Sequence, residues 1–210
     1  MSQENVALTP DTQTRPRRHA IGRDDIMPMA EYGRVRVDRR RALVAVKRNR
    51  RLSVGPYATF HFENYETMWS QVHEMLFIER GGEAQIDDEL RAYNPLIPKG
   101  RELVATVMFE IDDPLRRKAL LGRLGGVENT LWLEFEGQRV QGVPEADLDR
   151  TTAAGKASSV QFVHFPFTDA QAAVFARPGV RVVVGIDHEQ YPHMTVMPDV
   201  VRAALVGDFD

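Results

Sequence analysis

An α+β fold, with a mostly antiparallel sheet of about six to seven strands and helices packed on one face, follows from three features of the sequence. Short alternating apolar runs recur from residue 57 to residue 196. Several are joined by hairpin-sized turns, which suit antiparallel neighbours and exclude a doubly wound parallel sheet. Between them lie segments of helical period opened by N-cap residues.

Composition agrees with this reading. The chain has 210 residues, 43% hydrophobic and 27% charged, so a globular domain with a real core is expected. No apolar run reaches the roughly 18 residues that span a bilayer, and residues 1–14 are too polar for a signal peptide. Zero cysteines exclude disulfides, thiolate metal sites, cysteine-held iron–sulfur clusters and a cysteine nucleophile. A cytoplasmic protein is expected, with no membrane partner.

Residues 1–24 have little apolar content and two prolines, and read as a flexible leader before a single globular domain over 25–210. A basic helix is expected over 38–49, with Asp38 as N-cap and Ala42, Leu43 and Val46 on one face. Its cations, among them Arg39, Arg40, Lys47 and Arg48, spread over the rest. Residues 1–51 hold 13 Lys/Arg against 6 Asp/Glu, whereas the formal charge of the whole chain is −3. Such a segment could meet an acidic partner, a membrane surface or nucleic acid. Its small apolar stripe favours packing onto the body, and the net negative charge disfavours nucleic acid.

Gly55-Pro56 turns into a strand over 57–62. Asn64 caps a helix over 65–80, which stops at Gly81-Gly82. A shorter helix over 85–92 ends at Tyr93-Asn94-Pro95. A strand over 102–111 follows, then a helix opened by Asp113-Pro114. Residues 130–135 and 139–143 form a hairpin, and 144–156 a polar loop. A strand over 158–165, a helix with the capping box Thr168/Gln171, a strand over 180–186, a hairpin loop over 187–192, a strand over 194–196 and a helix after Pro198 complete the chain.

No phosphate loop, nucleophile elbow or HExxH pair is present, and no cofactor is evident. Among the six histidines, His188 and His193 flank a hairpin beside Asp187, a spacing that could gather two imidazoles and a carboxylate round a metal. A polar turn with exposed histidines is the simpler reading. His164 stands in an apolar strand, where a buried imidazole held by a backbone carbonyl is expected.

The densest polar group lies on the 65–80 helix. Thr67, Gln71 and Glu74 stack at i, i+4 and i+7, with Glu63 at the entrance and Glu79 at the exit. Left unpaired, each buried group would cost about 1–3 kcal/mol. They must be solvated, paired, for example with arginines of the 39–51 segment, or turned towards a ligand. A small-molecule or metal-dependent enzyme would place Glu63, Gln71, His73 and Glu74 beside a pocket.

The runs EYGRVRVDRRRALVAVKRNRRLSVGP, FENYETMWSQVHEMLFIE and ELRAYNPLIP, with SSVQFVHF and VVRAALVGD further on, resemble the bacterial family called domain of unknown function 3501. The likeness covers roughly residues 28–208 and carries no established activity. It implies an accessory role beside a redox or peroxide-defence system, with a rubrerythrin-like or iron–sulfur oxidoreductase partner. The basic segment and the polar face of the 65–80 helix would then form the binding surface.

Overall fold

The computed structural model describes residues 18–145, 151 and 155–210. The described residues form nine strands and six α-helices in an α+β arrangement. The strands divide into two antiparallel sheets, one of five and one of four.

The five-stranded sheet has the order β1 (Arg51–Val54), β2 (Ala58–Phe62), β3 (Glu102–Phe109), β7 (Val160–Pro166), β6 (Val143–Pro144). The four-stranded sheet has the order β5 (Gln138–Gln141), β4 (Leu131–Phe135), β8 (Val182–His188), β9 (Tyr191–Val196). Two sheets form because each has a mainly apolar face, interrupted on the five-stranded sheet by the buried Gln161. Phe60, Phe62, Leu103, Ala105, Val107, Val163 and Phe165 alternate inward on one, and Leu131, Leu133, Phe135, Val182, Val184 and Ile186 on the other. All join one core cluster, which a single sheet with helices on one face would leave half wet. Helices α4 (Pro114–Leu121), α5 (Asp169–Ala176) and α6 (Asp199–Val206) close that core through Leu121, Phe175 and Leu205.

Tyr191 fixes the seam between the sheets. Its hydroxyl donates to the Val54 carbonyl (2.9 Å) and accepts from the backbone N–H groups of Tyr57 (2.8 Å) and Ala58 (2.9 Å). The phenol is fully satisfied while buried.

The outer face of the five-stranded sheet carries α2 (Tyr65–Glu79) and α3 (Glu83–Tyr93). Met68, Val72, Leu76, Ile86, Leu96, Ile97 and Val104 form a second core there, with Ile21 inserted among them. Residues 18–24 therefore belong to the body. Asn94 accepts from the Ile21 N–H (2.7 Å) and donates to its carbonyl (3.0 Å), while the Trp69 indole donates to the Asp25 carbonyl (2.9 Å). One isolated isoleucine has no periodicity, so the sequence concealed this anchor; residues 1–17 of the expected leader lie outside the described residues.

Helix α1 differs most from expectation. It runs over Met29–Arg48, following Pro28, and Asp38 sits in its middle. A Cβ at Gly33 would meet the Phe77 ring at 3.0 Å, so this glycine permits close packing of α1 on α2. Strand β1 was also missed, because only Leu52 and Val54 alternate inward before the turn at Gly55 (φ +69°).

Candidate functional site

The polar row of α2 is a set of fastenings. Asn64 and Thr67 cap the helix reciprocally: Thr67 N–H donates to Asn64 Oδ1 (3.0 Å), and Asn64 N–H donates to Thr67 Oγ1 (2.9 Å). Glu63 is buried, and its Oε1 accepts from the Thr106 hydroxyl of β3 (2.7 Å). Gln71 donates to the Tyr93 hydroxyl at the end of α3 (3.4 Å). Glu74 receives both Arg36 Nε (2.8 Å) and Nη2 (2.7 Å), and also the Tyr32 hydroxyl (2.8 Å). Glu79 is exposed and accepts from Gln85 (2.7 Å).

The row therefore joins α2 to β3, α3 and α1. Glu63, Thr67, Gln71, His73 and Glu74 do not line the cleft between α1 and α2. Arg36 holds the Glu74 carboxyl down at a pKa of about 2. Burial, followed by the Glu74 bond, pushes the Tyr32 phenol up to about 12. His73 is fully buried: its Nδ1–H donates to the Trp69 carbonyl (2.7 Å) and its Nε2 accepts from Met27 N–H (3.0 Å). Burial pushes its pKa down, which suits a neutral ring with both nitrogens engaged.

The hairpin histidines do not gather a metal site. Register pairs Ile186 with His193, Asp187 with Pro192 and His188 with Tyr191. Strand alternation then puts His188 and His193 on one face and Asp187 on the other. Asp187 pairs with Arg139 (2.5 Å), whose guanidinium lies 4.3 Å over the Trp132 ring. His188 Nε2 contacts the Gly125 carbonyl (3.2 Å), and its Nδ1 accepts from Gln190 N–H (3.2 Å). Among the described residues no group of three or more His, Asp or Glu is placed to hold a metal ion. His164 also departs from expectation, lying on the outer side of its sheet. Its Nδ1 is 2.9 Å from Glu102 and its Nε2 is 3.9 Å from Glu145, and the Glu102 hydrogen bond raises its pKa.

What remains uncommitted lies on α1. Its first half is held to α2 by Tyr32, by Arg36 and by Phe77, which lies 4.8 Å from the Arg36 guanidinium. Its second half stands clear. Arg34, Val37, Arg41, Val44 and Arg48 recur at alternating steps of three and four, so they form one seam along the helix. All five are exposed, with Val37 at 66% and Val44 at 60%. Arg34, Arg40, Lys47 and Arg48 make no ion pair among the described residues, and Arg41 meets only Asp38 on the same helix (3.2 Å).

The opposite face of α1 looks into a cleft of about 690 Å³. Arg39, Ala42, Leu43 and Val46 face it from α1, while Tyr65, Glu66 and Trp69 face it from α2. The Arg39 guanidinium lies 5.1 Å from the centre of the Trp69 ring. The apolar stripe predicted to pack onto the body lines this cleft, with Leu43 and Val46 half-buried and Ala42 exposed. Trp69, half-buried against the second core, also lines this cleft. The outer seam was missed in the sequence, because the helix expected over 38–49 left Arg34 and Val37 outside it; its alternating steps of three and four are the signal that could have found it.

Comparison with known proteins agrees with the fold and assigns no chemistry. The family model described as "Protein of unknown function (DUF3501)" matches residues 20–209. A crystal structure of a novel protein of unknown function from Burkholderia pseudomallei K96243 superposes with a TM-score of 0.84 at 34% identity, covering 91% of this chain and 100% of that one. No curated protein matches. Among the described residues no helix is long and apolar enough to cross a membrane. The chain belongs to the DUF3501 family of proteins of unknown function.

Proposed function

We propose that this chain is an interaction protein that docks an acidic partner along the outer face of α1. The observation that carries this is the exposed seam Arg34–Val37–Arg41–Val44–Arg48. A helix of 20 residues is about 30 Å long, and this one holds seven Lys/Arg against two Asp/Glu. Only Tyr32 is buried along it. Alternating arginine and valine suits a partner helix that offers carboxylates and small apolar residues in the same period. Valines between the cations favour a protein surface over a phosphate backbone, which rewards charge alone. The family resemblance adds a class of partner, a rubrerythrin-like or iron–sulfur redox protein.

The test is affinity capture from a lysate of the host, with the wild type and with an Arg34→Glu/Arg41→Glu/Arg48→Glu variant. Wild type is expected to retain an acidic protein and to release it as salt rises to about 0.3 M, where screening is strong. The variant should retain about tenfold less. Mass spectrometry then reports whether the captured protein carries a redox centre. Equal capture by both proteins would refute the assignment to α1.

A further inference from the structure

The cleft beneath α1 has the makings of a ligand site distinct from the outer face. An amphipathic helix normally buries its apolar stripe against the body. Here Ala42, Leu43 and Val46 face a cavity instead, and the far wall is aromatic, formed by Tyr65 and Trp69. A volume of about 690 Å³ is in the range that holds small-molecule ligands.

The charges in the cleft differ in their commitments. Arg18 is paired with Asp25 (2.6 Å) and donates to the Tyr65 hydroxyl (2.9 Å). Asp208 is paired with the buried Arg50, and His19 lies 3.2 Å from Asp210. Arg39 has only the face of Trp69, and no carboxylate reaches it among the described residues. A guanidinium seated on an aromatic ring, with its donors unused, is ready to take a carboxylate in bidentate fashion. Glu66, three residues before Trp69 on the same helix, opposes a second negative charge near that point.

We propose that the cleft binds a monocarboxylate on an apolar body. The carboxylate would sit on Arg39, and the body would lie along Leu43 and Val46 against Tyr65 and Trp69. From residue 39 to residue 46 the helix rises about 10 Å, which suits a medium-length acyl chain. Glu66 disfavours dianionic heads such as phosphate monoesters.

Decanoate, decanol and decyl phosphate are the probes. The chain has two tryptophans, Trp69 in the cleft and Trp132 under Arg139 on the other sheet. In a Trp132→Phe background the emission therefore reports Trp69 alone. Titration calorimetry on the unmodified protein gives a reading free of that substitution. Decanoate is expected to bind saturably and to change Trp69 emission, with decanol and decyl phosphate about tenfold weaker. Arg39→Gln should abolish the preference for decanoate over decanol while leaving decanol binding unchanged. Leu43→Glu should weaken both. The Arg34→Glu/Arg41→Glu/Arg48→Glu variant should bind decanoate as wild type does, so failure of the docking face and failure of the cleft are separable. No saturable binding of decanoate, or an unaltered preference in Arg39→Gln, would overturn the proposal.

Discussion

At the scale of single residues, the polar groups of α2 show how buried polarity is resolved. The Arg36–Glu74–Tyr32 network replaces water with three short hydrogen bonds to the Glu74 carboxylate, all charge-assisted and two of them from the Arg36 guanidinium. Glu74→Gln should cost about 1–3 kcal/mol at neutral pH, because Arg36 loses its ionic partner. The pH dependence has a fixed sign. Glu74 has a folded pKa of about 2, below its ordinary 4.5, so its contribution is present above pH 4.5 and is lost as pH falls towards 2. Urea melts of wild type and variant should thus differ by a constant amount above about pH 5.5 and converge in acid. The histidines pull in opposite directions. His164 is raised above its ordinary 6.5, so its pairing with Glu102 stabilises fully below pH 6.5 and fades as pH rises through the folded value. His73 is lowered, so its contribution is full above pH 6.5 and is lost as pH falls towards the folded value. A His164→Gln variant should be nearest to wild type in stability at alkaline pH and furthest from it in mild acid.

At the scale of elements, local signals and tertiary demands can be told apart. The cap of α2 was legible in Asn64, and its geometry is reciprocal with Thr67. Asn64→Ala should cost about 1 kcal/mol, measured by thermal melt. The capping box Thr168/Gln171 and the Asp113-Pro114 helix start were legible in the same way. Helix α1 was not, because its first half is marked only by Pro28 and is interrupted by a glycine that serves Phe77. In the four-stranded sheet Gly185 has a comparable role. A Cβ there would lie 2.1 Å from the Trp132 ring, so the indole can rest on the sheet only over a glycine. Gly185→Ala should displace Trp132 and destabilise by about 1–3 kcal/mol, with a red-shifted emission from that tryptophan.

At the scale of the whole molecule, hydrophobic alternation revealed most of the strands, though not β1, and their division into two sheets depends on which apolar faces meet. That pairing joins residues far apart in sequence, such as Tyr191 and Val54 across the seam. The candidate site was half legible for the same reason. Thr67, Gln71 and Glu74 were read as one row; Thr67 serves the cap with Asn64, while the partners of Gln71 and Glu74, namely Tyr93, Tyr32 and Arg36, lie on other elements. The seam of α1 and its inner stripe were both present in the sequence. Only the fold shows that one faces solvent and the other a cleft.

The proposed docking partner would sit on the outer face of α1. A photo-crosslinking residue placed at Val44 in the host, with Ala203 on the exposed side of α6 as control, tests it at one position. An adduct with an acidic protein is expected from position 44 and none from position 203, and the adduct should be lost when Arg41 and Arg48 are changed to Glu. No adduct from position 44, or the same adduct from both positions, would contradict this placement.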